Sequence, residues 1–204
     1  ALADVSGSWD LRAVTWALSR FADGAVGGAV RWLLRAAAGR GDLRLADPDQ
    51  PDHDCGLIIL GMGKMGANEL NYSSDIDLIA LYDGEGAPYV GRRTAQECYI
   101  RLVRDLVKML QQPTRDGYVL RTDLRLRPDP GVTPVVVSMI AAEQYYETLG
   151  QNWERAAMIK ARPVAGDLAA AAEFLTRLQP FIWRRNLDYA AIADINSIMR
   201  KIHS

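Results

Sequence analysis

Residues 56–83, GLIILGMGKMGANELNYSSDIDLIALYD, decide how the rest of the chain is read. Leu57, Ile58, Ile59 and Leu60 form a short apolar run between Gly56 and Gly61, the length and flanks of a buried strand rather than a helix. The turn that follows carries Gly61, Gly63 and Gly66, with Lys64 among them. Glycines let backbone N–H groups approach a ligand that a Cβ would exclude, and Lys64 adds positive charge, so the loop suits a phosphate. Ser73-Ser74-Asp75-Ile76-Asp77 then runs into Leu78, Ile79, Ala80 and Leu81. Side chains two apart on a strand share a face, which puts Asp75 and Asp77 together and Ile76 opposite. Neighbouring carboxylates repel unless a divalent cation lies between them.

Working outward, Ser8 is placed to cap a helix bearing Trp9, Val14, Trp16, Leu18 and Phe21, which Gly24 ends; a second helix follows over 25–38. Residues 39–55, rich in Gly, Pro and Asp, read as a polar connection. Beyond the central stretch, residues 94–112 place Tyr99, Leu102, Val103, Leu106 and Leu110 at helical spacing. Residues 118–127 alternate instead, with Val119, Arg121, Asp123, Arg125 and Arg127 on one strand face. Pro128, Pro130 and Gly131 make a turn, residues 135–137 offer a short strand, and from Ser138 the chain reads as helices broken near Gly150, 163–166 and Pro180. The tryptophans and the Tyr145–Tyr146 pair read as packing residues, Arg184 and Arg185 as surface charges, and Ile202-His203-Ser204 as the interior of a last helix. The expected organisation is a helical segment with a linker (1–50), a central core (51–137) and a C-terminal helical region (138–204).

The balance of 204 residues, 49% hydrophobic and 24% charged, is that of a soluble globular protein. A net charge of −1 supplies no general basic field, which argues against nucleic acid as a partner. Cys55 and Cys98 match no metal or redox spacing and read as free thiols in a reducing compartment. With no signal peptide and no apolar run of membrane-spanning length, a membrane partner is not expected and a cytoplasmic location is.

Strand, glycine loop with lysine, Ser-Ser-Asp-x-Asp strand, amphipathic helix and a strand with a third aspartate follow the order of a nucleotidyltransferase core. The expected fold is α+β, of the DNA polymerase β-like kind: a small mixed sheet with helices on one side and strands near 57–61, 76–82 and 118–127. Phosphoryl-type transfer at a nucleotide needs divalent cations held by carboxylates, and Asp75, Asp77 and Asp123 can supply them if the third strand pairs beside the second. Ser73 or Ser74 and the loop amides around Gly63 would hold phosphate oxygens. Competing readings stand beside this one. Gly61-x-Gly63-x-x-Gly66 after a strand, with Asp83 further on, matches a dinucleotide fingerprint, although the 67–74 segment leaves little room for a crossover helix. Asp75 and Asp77 can simply cap a strand at the surface, and Asp123 can pair structurally with Arg121, Arg125 or Arg127. In 153–162, a helix would put Arg155, Ile159 and Arg162 on one face. That face is either a solvated basic surface beside a buried Trp153, or a source of cations (Arg155, Lys160, Arg162) for phosphates.

The segments GMGKMGANELNYSSDIDL (61–78), TDLRLRP (122–128) and NWERAAMIKAR (152–162) together resemble the glutamine synthetase adenylyltransferase/adenylyl-removing family. Members carry two related nucleotidyltransferase halves, and the serine-bearing stretch and Trp153-Glu154-Arg155 look more like the amino-terminal, adenylyl-removing half. The resemblance implies phosphorolysis: inorganic phosphate attacks the adenylyl group on a tyrosine of glutamine synthetase, releasing ADP and reactivating that enzyme in nitrogen regulation. It implies Mg²⁺ or Mn²⁺ on Asp75, Asp77 and Asp123, and anion neutralisation by Lys64, Arg125, Arg127, Lys160 and Arg162. Implied partners are glutamine synthetase as protein substrate, phosphate and ADP or ATP, and a nitrogen-signalling regulatory protein. Two alternatives remain: the forward reaction, ATP-dependent adenylylation of the tyrosine, and a non-catalytic regulatory docking module.

Overall fold

A computed structural model describes residues 2–183. The readings of Arg184, Arg185 and 202–204 lie outside the described residues, as does the end of the expected C-terminal region.

Strand β1 (Leu57–Gly61) is buried along its whole length. It pairs antiparallel with β2 (Ile76–Tyr82), Leu57 opposite Tyr82 and Gly61 opposite Leu78. The two strands match the expected spans. Their antiparallel sense removes the dinucleotide reading, because a βαβ nucleotide fold needs parallel strands joined by a crossover helix. Only the four-residue α3 (Gly63–Gly66) lies between them, after the one-turn α1 (Leu2–Val5) and the long α2 (Leu11–Gly39) that precede the sheet.

Side chains alternate strictly across the strands. Leu57, Ile59, Ile76, Leu78 and Ala80 enter one core with α2 and with α4 (Ala95–Gln111). Ile58, Leu60, Ile79 and Leu81 enter a second core on the other face. That core is closed by α5 (Met139–Thr148), α6 (Asn152–Met158), α7 (Leu168–Arg177) and α8 (Gln179–Ile182). Helices therefore cover both faces rather than one. The reason is legible in the strands themselves: consecutive apolar residues leave neither face able to stay wet.

Helix α2 departs from expectation in both its start and its length. Asp10, not Ser8, caps it, accepting from the Ala13 N–H at 2.7 Å. It passes through Gly24, Gly27 and Gly28 without a break. A glycine costs a helix about 1 kcal/mol, whereas α2 buries Ala22, Val26, Val30, Leu33, Leu34 and Ala37, of which each valine and leucine contributes roughly 1.5–3 kcal/mol. Tertiary burial outweighs propensity. Helix α4 follows its sequence signals: a Thr94–Glu97 capping box starts it, and Tyr99, Leu102, Val103, Leu106 and Leu110 are its buried stripe.

The expected strand over 118–127 shrinks to β3 (Thr122–Asp123), parallel to β2 with Asp123 in register with Asp77. Before it, the N–H groups of Val119 and Leu120 turn back to the Leu110 carbonyl, both at 3.0 Å. After it, the Arg125 N–H bonds the Asp123 carboxylate at 2.8 Å, a turn that ends strand pairing. The short β4 (Val136–Ser138) lies parallel to β2 at its other end.

The region read as all-helical after Ser138 contains a fifth strand, β5 (Arg162–Gly166), antiparallel to β1 at the sheet edge. Gly166 sits at φ +73°, and a Cβ there would meet the Leu57 carbonyl oxygen at 2.1 Å. The five tryptophans, read as packing residues, are instead more than 40% exposed, while Tyr146 is buried as expected. No described helix is long and apolar enough to cross a membrane.

Candidate active site

Asp77 lies on β2 beside Asp123 on β3, so the parallel register sets the two residues on adjacent strands, whose backbones run about 4.8 Å apart. Ile76, between Asp75 and Asp77, is fully buried on the opposite face, as the strand period requires. Burial, followed by the charges of Asp123 and Asp75, pushes the Asp77 carboxyl above the ordinary carboxylate range, with Arg125 and Lys64 opposing. Asp77 thus carries the charge in this group that is least well met. Gly63, at φ +51°, covers it: a Cβ on Gly63 would stand 3.0 Å from Asp77 Oδ2. The glycine keeps the space in front of the carboxylate open.

Asp123 is differently placed. The Arg125 guanidinium grips it with Nε at 3.0 and 2.8 Å from its two oxygens and one Nη at 2.5 Å, and these hydrogen bonds hold its carboxyl below the usual range. Asp75 turns outward to Arg121, whose Nε lies 2.5 Å from Oδ1 and whose Nη2 donates to the Ser73 carbonyl at 2.7 Å. The expected convergence of three carboxylates is therefore only partly built: among the described residues, no three His, Cys, Asp or Glu side chains stand together as a metal cluster. Asp75 and Asp123 are each drawn to a guanidinium. Asp77, under-neutralised beneath the open Gly63 position, together with Asp123 in register beside it, offers the oxygen donors that fit a hard divalent cation such as Mg²⁺ or Mn²⁺.

On the loop side, Lys64 Nζ reaches Ser74 Oγ at 3.3 Å, and Ser74 Oγ donates to Asn71 Oδ1 at 2.6 Å. Asn71 also accepts from the Ser73 N–H at 3.2 Å. Lys64, Ser73, Ser74, Asp75 and Asp77 are thus gathered on one side of the glycine turn. The loop amides of Met62, Gly66 and Ala67 are engaged internally, with the carbonyls of Asp77, Met62 and Gly63. Asn71 and Arg121 were missed as members of the constellation. The Asn-x-Ser-Ser spacing of an Asx turn signals the first, and the alternation of Arg121 with Asp123 signals the second.

The remaining expected cations sit elsewhere. Arg127 is spent on the carbonyls of Leu124, Pro130 and Thr133 and clamps the turn after β3. Lys160 pairs with Glu69 at 2.9 Å. Arg162 is on β5, not on a helix, and binds Asp23 of α2 bidentately at 3.0 and 2.9 Å while donating to the carbonyls of Met65 and Gly66. It ties α2, the glycine turn and β5 together. The solvated basic face beside a buried Trp153 is likewise corrected: Trp153 is 41% exposed, whereas Glu154 and Arg155 are buried. Helix α6 turns these two inward, and the Tyr145 hydroxyl donates to Glu154. One guanidinium nitrogen of Arg155 is buried with no hydrogen-bond partner among the described residues.

This sheet, with its carboxylates on neighbouring strands, is a nucleotidyltransferase-like α+β fold. Comparison with known proteins agrees with it. The glutamate-ammonia ligase adenylyltransferase family pattern matches residues 1–177. Across all 204 residues the chain is 57% identical to the bifunctional glutamine synthetase adenylyltransferase/adenylyl-removing enzyme of Mesorhizobium japonicum. It is 54% identical to the same-named enzyme of Rhizobium meliloti and 53% to that of Xanthobacter autotrophicus. In each case it covers 21% of the relative, so the chain spans about a fifth of the length of the proteins it matches. By the extent of the family match and by these identities, the chain belongs to the glutamate-ammonia ligase adenylyltransferase family.

Proposed function

We propose that this chain carries a nucleotidyltransferase site that removes the adenylyl group from a tyrosine of glutamine synthetase by phosphorolysis. The observation that carries the reading is the in-register pair Asp77–Asp123 beneath Gly63, with Lys64 alongside. In the reaction, an oxygen of inorganic phosphate attacks the adenylyl phosphorus, the phosphorus–tyrosine oxygen bond breaks, and the phenolic oxygen leaves and takes up a proton, giving ADP and the unmodified tyrosine. Asp77 and Asp123 are the residues to hold Mg²⁺ or Mn²⁺, with Asp75 as a third donor once freed from Arg121. Such a cation supplies charge neutralisation at the phosphoryl oxygens. Lys64, with Ser73 and Ser74, is placed to bind phosphate oxygens, and Arg125, exposed and paired with Asp123, would have to exchange that carboxylate for a phosphate to join them. The removing direction is supported by the resemblance of the Asn71–Asp77 and Trp153–Arg155 stretches to the adenylyl-removing half of the family.

A second reading is the forward transfer of an adenylyl group from ATP to the tyrosine. The pairing of Lys160 with Glu69 and of Arg162 with Asp23 favours it, since it removes two cations from the surplus that two reacting anions need. The experiment is incubation with adenylylated glutamine synthetase and a divalent cation, with and without phosphate. Phosphate-dependent ADP is the expected product. ATP-dependent labelling of unmodified glutamine synthetase without ADP from phosphorolysis would move the assignment to the forward reaction.

A further inference from the structure

A cavity of about 910 Å³ lies away from the carboxylates, between the C-terminal end of α2, the loop 89–93 and the first turns of α4. Helix α4 separates the two places. Its C-terminal Gln111 bonds Thr122 of β3, next to Asp123, whereas the cavity is lined by its residues 97–105. The 17 residues of α4 make a rod of about 25 Å.

The cavity wall is pinned in place. The Val90 N–H bonds the Asp42 carbonyl at 3.0 Å and the Arg44 N–H the Pro88 carbonyl at 2.9 Å, with a bridge between Leu43 and Tyr89. The Tyr89 hydroxyl accepts from the Arg93 N–H at 2.7 Å, which folds the loop onto itself. Its lining is strongly biased in charge. Arg40 and Arg101 share a single counter-ion, Asp42, at 3.1 and 2.5 Å. Arg92, Arg93 and Arg104, all exposed, form no ion pair among the described residues. Of the other two lining carboxylates, Glu97 already accepts from the Thr94 N–H in the helix cap. Five guanidinium groups thus face three carboxylates in a chain whose net charge is −1. Guanidinium forks match phosphate oxygens in pairs, and a volume of this size admits more than a single phosphate.

We propose that this arginine cleft is a binding site for a phosphoryl-bearing small anion, distinct from the Asp77–Asp123 site and independent of the reaction assigned to that site. Inorganic pyrophosphate in metal-free buffer is the probe, followed by titration calorimetry. The chain is expected to bind it, Arg92→Ala and Arg104→Ala each to weaken binding about ten-fold or more, and Asp77→Asn to leave it unchanged. Both arginines are exposed, so thermal melts of the two variants should match the parent and separate lost binding from lost folding. Absence of binding at millimolar pyrophosphate would overturn the proposal. So would undiminished binding in both arginine variants, loss in Asp77→Asn, or binding that disappears in about 0.3 M salt, where only diffuse attraction is screened away. Citrate bound as tightly as pyrophosphate would overturn the phosphoryl assignment. An acidic peptide that binds at the arginines where pyrophosphate does not would make the cleft a protein-docking surface instead.

Discussion

Two charged clusters that look alike on paper behave oppositely in the fold. Asp75, Asp77 and Asp123 lie at an open end of the sheet, and the charge on Asp77 is resisted by burial and by the other two carboxylates. Lys160 and Arg162 come from a segment just as rich in charge, yet each is matched: Lys160 by Glu69, Arg162 by Asp23 and two backbone carbonyls. Within the acidic cluster Asp75 and Asp123 also have partners, Arg121 and Arg125, so the contrast rests on Asp77, and the difference teaches where chemistry is to be sought. A charge whose partner is built into the fold holds elements together, whereas a charge crowded by its own kind is prepared for a ligand of opposite sign.

The comparison is sharpened most by Asp77→Asn, which is expected to lower phosphorolysis by about 10³-fold or more with thermal stability kept or raised in metal-free buffer, since it relieves repulsion. Steady-state rates and a melting curve measured together check it; an active variant would break the acidic half of the contrast. Arg162→Ala should do the reverse, costing about 1.5–3 kcal/mol through the loss of charge-assisted hydrogen bonds that leaves Asp23, among the described residues, only its 3.4 Å contact with Arg20, as read by urea unfolding. A stable but inactive Arg162→Ala protein would return that residue to the site. Gly63→Ala forces φ +51° on a side-chain-bearing residue and presses a methyl onto Asp77. It is expected to cost about 1–2 kcal/mol and to weaken divalent-cation binding measured by calorimetry.

Smaller effects follow from groups with no part in either cluster. Burial pushes the Cys55 thiol from 9.0 up to about 12, so the folded chain keeps its proton where the unfolded chain loses it. Its contribution to stability is complete below pH 9 and declines as pH rises from there toward 12. In the folded protein Cys55 should resist alkylation at pH 8 and react once the chain is unfolded, which mass spectrometry of iodoacetamide-treated samples would show. Lys160→Ala is expected to have the smallest effect, below about 1 kcal/mol, because its pair with Glu69 is half exposed and screened. A melting curve suffices to check it.

The strands β1 and β2 and helix α4 were legible because each is written in local periodicity, an apolar run, aspartates at strand spacing leading an apolar run, and a capped helical stripe, whereas the pairing of Asp77 with Asp123 followed only on condition that the third strand lay beside the second. The alternation at 118–127 was legible too, but not its extent, since the turns at Leu110 and Asp123 that end pairing are hydrogen bonds to distant or side-chain atoms. Helix α2 was misread as two because Gly24 is a local signal, while the burial that overrides it comes from the sheet and α4. Strand β5 was hidden in a helical context. Its Pro163 and Gly166 read as breakers, and only the free edge of β1 makes them a strand.

By itself, then, the amino-acid sequence determined the chemical inventory and the order of elements, because side-chain period and turn chemistry act over a few residues. The tertiary structure alone decided which charges are spent. Whether Arg162 meets a phosphate or Asp23 depends on residues 139 positions apart arriving at the same place, and no spacing along the chain encodes that encounter.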